Sequence, residues 1–287
     1  MSPGHARGAA RPERPEPAAV VGAEVRCTGL VHVYRVSGTD VAALRGADLY
    51  LAPGERIALL GPSGSGKSTL LGLVAGLLRP SAGTVLVDDL EVTGAGEAAL
   101  HAYRAGTVGL MLQGVHGNLL PWADPVANVR HATAGRPGAG EEVLRLVGLH
   151  RERRAVERLT PSARQAVALA VALARRPRLL LVDEPTNMLT PADRDALLDA
   201  FVEATAGTTV LMVTHDEAVA ARMERMVRMR DGRIAAEGVR ESPFAVIGTD
   251  GSVPLPDRVL GHWPPGARVR VVEEDDGTLR LTREDPS

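Results

Sequence analysis

Lysine is almost absent from this chain of 287 residues: Lys67 is the single lysine, and the other 32 basic residues are arginine. Cysteine is as scarce. Cys27 stands alone, which excludes an intramolecular disulfide and is compatible with a reducing compartment such as the cytoplasm. Aromatic residues amount to 2%, so Leu, Val, Ala and Met must build the core. No apolar run approaches the roughly 18–20 residues that cross a bilayer. If the protein works at a membrane, another chain is expected to supply the spanning segments. Residues 1–24 are rich in Pro, Ala, Arg and Gly and lack the apolar stretch of a secretory leader; they read as a disordered tail. The net charge of −2 offers no surplus for a polyanion, so nucleic acid is not an expected partner.

The length allows one large domain or two smaller ones. Residues 25–50 alternate in short runs broken by Ser37-Gly38-Thr39 and Arg45-Gly46, the pattern of antiparallel strands. From residue 56 onward, short apolar strands alternate with helices. Strands are expected over 56–60, 84–87, 107–112, 179–182 and 209–213, and helices over 67–78, 141–149, 160–176, 193–205 and 217–223. Residues 114–137 read as irregular, and 226–229 with 233–236 as a hairpin around Asp231-Gly232. Such alternation predicts a mostly parallel α/β core. Ligands of such sheets bind beyond the carboxyl ends of the strands.

The lone lysine lies in Gly61-Pro62-Ser63-Gly64-Ser65-Gly66-Lys67-Ser68-Thr69, between a strand and a helix. This is a G-x-x-x-x-G-K-[ST] phosphate loop. A compact ammonium on a flexible stem reaches between two phosphates, where a planar guanidinium needs room and a fork-shaped partner. Backbone N–H groups of residues 64–68 are expected to wrap the β-phosphate at the helix N-terminus. Lys67 is expected to reach the β- and γ-phosphates, and the Ser68 hydroxyl to bind Mg²⁺. Asp183 ends an apolar strand, the Walker B position for holding Mg²⁺. Glu184 follows it, where a carboxylate can orient and deprotonate an attacking water. An ordinary charged strand end is the plainer account of the Asp183-Glu184 pair.

Leu181-Val182-Asp183-Glu184-Pro185-Thr186 resembles the Walker B segment of ATP-binding-cassette (ABC) ATPases, and the resemblance runs from about Val25 to about Gly238. It implies a P-loop NTPase core carrying an antiparallel β subdomain and an α-helical subdomain at about residues 114–160, within an ATPase domain spanning 25–240. It further implies that Gln113 is the Q-loop glutamine, which senses Mg²⁺ and couples to the membrane partner. His215, in Val213-Thr214-His215-Asp216, matches the switch histidine that contacts the γ-phosphate. Tyr34 matches the aromatic that stacks on adenine. Alone, Tyr34 is also compatible with a packed strand aromatic, and His215 with a structural histidine. Residues 34–46, 108–113 and 118–121 resemble the MacB/LolD/FtsE-type cassettes, which power or regulate FtsX-like permeases.

One segment departs from the family. Leu159-Thr160-Pro161-Ser162-Ala163 occupies the place of the L-S-G-G-Q signature, which closes over the γ-phosphate held by the other subunit. Thr160 retains a hydroxyl. Pro161 has no N–H to donate, and Ser162 adds a side chain where backbone must approach phosphate. Losing one charge-assisted hydrogen bond costs about 1.5–3 kcal/mol, which is about ten- to hundredfold in rate if felt fully in the transition state. The D-loop segment 187–191 also has Thr190 where the family usually has aspartate. What this chain contributes to its own site reads as intact, and what it offers a partner reads as degraded. Two arrangements fit: an asymmetric heterodimer with a second cassette, or a homodimer with two weakened sites.

After Gly238 the composition changes. Residues 267–272 and 278–282 alternate around Asp275-Asp276-Gly277, the pattern of a hairpin. Residues 250–256 and 265–269 resemble the swapped-hairpin fold of AbrB-like proteins. Glu273, Glu274, Asp275 and Asp276 oppose DNA binding. The segment 243–287 is thus expected to be a small β-rich extension, either a dimerising or regulatory module or a plain addition packed on the core. Taken together, the expectation is a soluble Mg-ATP-binding subunit, peripheral on the cytoplasmic face of the membrane and docked on a separate permease through residues 113–137. The alternative is a non-transport ABC ATPase acting as an ATP-gated switch or assembly factor.

Overall fold

The computed structural model describes residues 21–36, 38–114, 117, 119–134, 139–187, 189–239, 242–245, 268–274 and 278–284. Three short runs that are apolar at nearly every position become neighbouring strands: β3 (Arg56–Leu60), β7 (Leu179–Asp183) and β8 (Thr209–Val213). Ile57, Leu59, Leu179, Leu181, Leu211 and Val213 enter one core cluster. Their neighbours Ala58, Leu60, Leu180, Val182, Val210 and Met212 enter a second. Successive side chains on a strand face opposite ways, so a strand covered on both faces must be apolar throughout.

These strands sit in a seven-stranded sheet of order β11-β10-β9-β3-β8-β7-β6. Strands β6 (Val108–Met111), β7, β8, β3 and β9 (Arg225–Arg230) run parallel. β10 (Arg233–Val239) and β11 (Ser242–Ala245) close that edge antiparallel. The sheet therefore continues past Gly238. A second, antiparallel sheet has the order β2-β1-β4-β5, from β1 (Val25–Val36), β2 (Thr39–Leu51), β4 (Ala82–Val87) and β5 (Leu90–Glu91). The first core cluster joins this sheet to the large one through Leu70, Leu71, Leu73 and Val74 of α1 (Lys67–Val74). On the other face, the second cluster takes in α5 (Pro161–Leu173) and α6 (Pro191–Ala204).

Several elements differ from the sequence expectation. Residues 114–137, expected to be irregular, contain the helix α3 (Pro125–Ala132). Its start was encoded: Asp124 accepts the Ala127 N–H at 2.8 Å, and Pro125 occupies the first turn. The helix α2 (Glu97–Gly106), which buries only Leu100 and Tyr103, was not anticipated. The helix from Lys67 ends at Val74 rather than residue 78, because the N–H groups of Leu77 and Leu78 both turn back to the Gly72 carbonyl. α4 (Ala139–Leu146) falls close to its expected place, and α7 (Glu217–Ala220) is shorter than expected.

Residues 1–20 lie outside the described residues. Ala23 is fully buried, donates its N–H to Arg178 O and accepts from Thr209 Oγ1, so the chain is anchored before residue 25. Cys27 is buried in β1, and burial pushes its thiol up to about 12. The expected C-terminal hairpin forms from β12 (Arg268–Glu273) and β13 (Leu279–Glu284), paired antiparallel. Residues 250–256 and the turn 275–277 lie outside the described residues. Among the described residues, no helix is long and apolar enough to cross a membrane.

Candidate nucleotide-binding site

Because β3, β6, β7 and β8 are parallel, their carboxyl ends share one edge of the sheet. Residues 61–66 leave β3 and enter α1. Gln113 lies two residues beyond β6. Asp183 and Glu184 end and follow β7, and His215 follows β8. All of these segments line one cleft of about 570 Å³. Its lining includes Tyr34, Gly61, Pro62, Ser63, Gly64, Gly66, Lys67, Ser68, Thr69, Gln113, Asp183, Glu184 and His215. Ala43 and Val213, which carried no sequence signal as site residues, line it too. Ser65 does not: its hydroxyl is buried without a hydrogen-bond partner. Thr160, Pro161 and Ser162 do not line the cleft.

Lys67 is 8% exposed, and its Nζ donates to Gly61 O at 2.8 Å and Pro62 O at 2.9 Å. The loop thus folds its own carbonyls around the ammonium. Desolvation lowers the Lys67 pKa, opposed by the nearby charges of Glu184 and Asp183. Burial raises the Asp183 pKa, partly offset by a hydrogen bond from Ser68. Asp183 Oδ1 is buried with no partner. A buried carboxylate oxygen left unpaired is costly, and a hard cation would satisfy it. With the Ser68 hydroxyl on the same carboxylate and Gln113 on the same cleft, the oxygen donors suit Mg²⁺.

Glu184 adopts φ 51 and is 9% exposed. A non-glycine residue in the left-handed region costs about 1–3 kcal/mol and persists only where its surroundings impose it. Here its N–H donates to Val213 O at 2.9 Å, and its Oε1 meets His215 Nδ1 at 2.9 Å. The carboxylate is held at the cleft wall by the neighbouring strand. At the other end, Tyr34 on β1 is 38% exposed, its hydroxyl 3.2 Å from Thr69 Oγ1. The His32 ring meets Tyr34 edge-on, with centroids 4.6 Å apart. Tyr34 thus lines the cleft beside the phosphate loop.

A glycine-rich loop opening a helix, a strand-end aspartate and glutamate, and a histidine from the next strand define a P-loop nucleotide-binding cassette. The comparisons with known proteins are specific. The ABC transporter family matches residues 44–187. The chain is 43% identical over 228 residues to the lipoprotein-releasing system ATP-binding protein LolD of Ruegeria pomeroyi, covering 74% of this chain and 97% of that protein. It is 36% identical over 234 residues to the macrolide export ATP-binding/permease protein MacB of Rhodopirellula baltica, covering 77% of this chain and 34% of that one. The dimeric structure of an ATP-binding cassette in a post-hydrolysis state bound to ADP and Pi matches with TM-score 0.69 and 28% identity, over 76% of this chain and 99% of that chain. The chain belongs to the ABC transporter family and is an ATP-binding subunit of the type typified by LolD and MacB.

Proposed function

We propose that this chain binds Mg-ATP in the cleft and hydrolyses it to drive or regulate a separate FtsX-like permease. The observation that carries the proposal is the convergence of Lys67, Gln113, Asp183, Glu184 and His215 on one cleft from the ends of four parallel strands. The N–H groups of residues 64–68 and the Lys67 ammonium would hold the β- and γ-phosphates. Tyr34 would stack on the base. Ser68, Asp183 and Gln113 would hold Mg²⁺, which when bound neutralises charge on the phosphate oxygens. Glu184 would take a proton from water as its oxygen bonds to the γ-phosphorus and the bond to the β-phosphate oxygen breaks. His215 would orient Glu184 and face the γ-phosphate.

Cassettes of this family are solved as dimers, and this chain would pair with itself or a second cassette. Thr160, Pro161 and Ser162 would then close over the partner's nucleotide with weakened contacts, leaving asymmetric or slow sites. The permease would dock through residues 113–137, placing the chain on the cytoplasmic face of the membrane. The β-rich extension expected over residues 243–287 would begin only after Ala245, since β11 belongs to the large sheet. A non-transport switch is the less favoured reading, because relatives that the chain matches over nearly their full length are named for a lipoprotein-releasing system.

Affinity purification from membranes tests the assignment: a permease, with or without a second cassette, should co-purify. The isolated chain should bind ATP and hydrolyse it slowly. Rapid turnover by the isolated chain, abolished by Glu184→Gln, would contradict the weakened signature loop.

A further inference from the structure

The phosphate loop is buttressed from behind by two segments distant in sequence. One is Ala43-Leu44-Arg45 on β2. The other is the two-residue turn Asp231-Gly232 joining β9 and β10. The Gly232 N–H donates to Ser65 O at 3.1 Å, and Gly232 O accepts from Arg45 N at 2.9 Å. Asp231 and Gly232 adopt φ 48 and 78, the left-handed pair that a tight hairpin turn requires.

The packing leaves no slack. A Cβ on Gly232 would lie 2.8 Å from Ala43 O and 3.1 Å from Leu44 Cα. On the opposite side, a Cβ on Gly66 would lie 2.4 Å from that same Ala43 O. A Cβ on Gly61 would lie 2.2 Å from Met229 O, on the strand leading into the turn. Backbone therefore meets backbone from the hairpin through β2 to the loop, and interiors packed this tightly transmit displacement.

We infer that Gly232 is a positioning residue for nucleotide binding, acting through Ser65 and Ala43. In a trans peptide the carbonyl and the following N–H point in opposite directions. The Gly232 N–H fixes the Ser65 carbonyl toward the turn. The Gly66 N–H of the same peptide is therefore directed away from the turn, and Gly66 lines the cleft. The turn thus sets the aim of one phosphate-facing donor and, by filling the space behind Ala43, the depth of the loop. This inference rests on the reading that residues 61–69 hold the phosphates.

The test is isothermal titration of the full chain with magnesium and adenylyl imidodiphosphate, alongside thermal melting. Gly232→Ala and Gly232→Asn should weaken binding by about tenfold or more. Asparagine tolerates positive φ, so the second variant keeps the fold while still placing a Cβ against Ala43. Gly46→Ala is the control. Gly46 has φ 89 on the same strand β2, with no atom within 4 Å of a Cβ. It should lower the melting temperature yet bind within about twofold of the parent chain. Parent-like affinity in the Gly232 variants, or an equal loss in Gly46→Ala, overturns the inference. Lys67→Ala separates the two readings. If it abolishes binding while the Gly232 variants bind normally, only the inference fails. If it binds normally, the phosphate-loop reading fails and the inference with it.

Discussion

His215 Nδ1 and Glu184 Oε1 stand 2.9 Å apart across the ends of β8 and β7. The contact joins a side chain that is largely exposed to one that is almost fully buried. With the carboxylate accepting, the proton sits on Nδ1, and Nε2 remains for a second partner. Glu184 is held twice from this side, by its N–H to Val213 O at the end of β8 and by its carboxylate to His215 just beyond it. Removing the imidazole frees one of those two restraints. His215→Ala should lower kcat by about a hundredfold, near the lower end of what a positioned base supplies. The dissociation constant for ATP should stay within about threefold, since the phosphate loop is untouched. Steady-state turnover and equilibrium binding on the same preparation check the split.

Lys67 is wrapped by Gly61 O and Pro62 O and is nearly buried. That enclosure fits a tetrahedral ammonium. An arginine there would have to place a planar, larger group between two backbone carbonyls that other contacts hold in place. Lys67→Arg should therefore weaken ATP binding by about tenfold or more, roughly 1.4 kcal/mol, although charge is conserved and arginine is this chain's usual cation. Titration calorimetry reads the change. Parent-like affinity would show that charge alone suffices at this position.

Asp183 gives a pH dependence with a defined sign. Burial raises its pKa in the folded state above the ordinary 3.8. A carboxyl with a raised folded pKa binds its proton more tightly folded than unfolded. Below 3.8 the group imposes no charge penalty. As pH climbs from 3.8 through the raised folded value, the penalty grows, and it is fully present only above that value. Asp183→Asn removes it. Without magnesium and nucleotide, the variant should melt a few degrees higher than the parent at pH 7, where about 1 kcal/mol corresponds to roughly 2–4 °C in a domain of this size. The advantage should shrink toward pH 4. With magnesium and ATP the order should reverse, because the variant loses the ligand that stabilises the parent. Scanning calorimetry at several pH values, with and without Mg-ATP, checks both arms.

The parts of the site that were legible in sequence are those fixed by local chemistry. A lysine after a glycine-rich turn, and carboxylates closing the strand that becomes β7, need only their neighbours to be recognised. The apolar runs behind them specified a doubly covered parallel sheet. Ala43 was not legible as a site residue. It reaches the cleft from another sheet and carries no chemistry in its side chain. Gly232 had a hairpin signature, but its contact with Ser65 depends on packing across 167 residues of sequence. The helix α3 is a different case: Asp124-Pro125 is a helix start, but the prolines around it give the segment the composition of a loop. α2 was missed because its buried stripe is only Leu100 and Tyr103, too little periodicity to register.

The loop at Thr160 is where sequence and structure together make the sharpest demand. Thr160 Oγ1 accepts the Ala163 N–H at 3.3 Å and lies 3.1 Å from Ser162 Oγ. Pro161 opens α5. The Arg164 guanidinium donates to Leu159 O at 3.0 Å and to Glu157 O at 2.7 Å. Cap, proline and arginine together fix this helix start, and those restraints favour the fold of the chain that carries them. Pro161→Gly with Ser162→Gly gives up part of that restraint, at about 0.5–1 kcal/mol per glycine, so the double variant should melt lower by a few degrees. It should also gain an N–H and close approach for a partner's γ-phosphate. In a homodimer, ATP turnover should rise about ten- to hundredfold if the loop limits the rate. Melting curves and steady-state ATPase assays on the purified chain read both effects. Lower stability with unchanged turnover would place the limiting defect elsewhere. Thr190 is then the next candidate: its hydroxyl accepts the Asp193 N–H at 3.2 Å and caps α6.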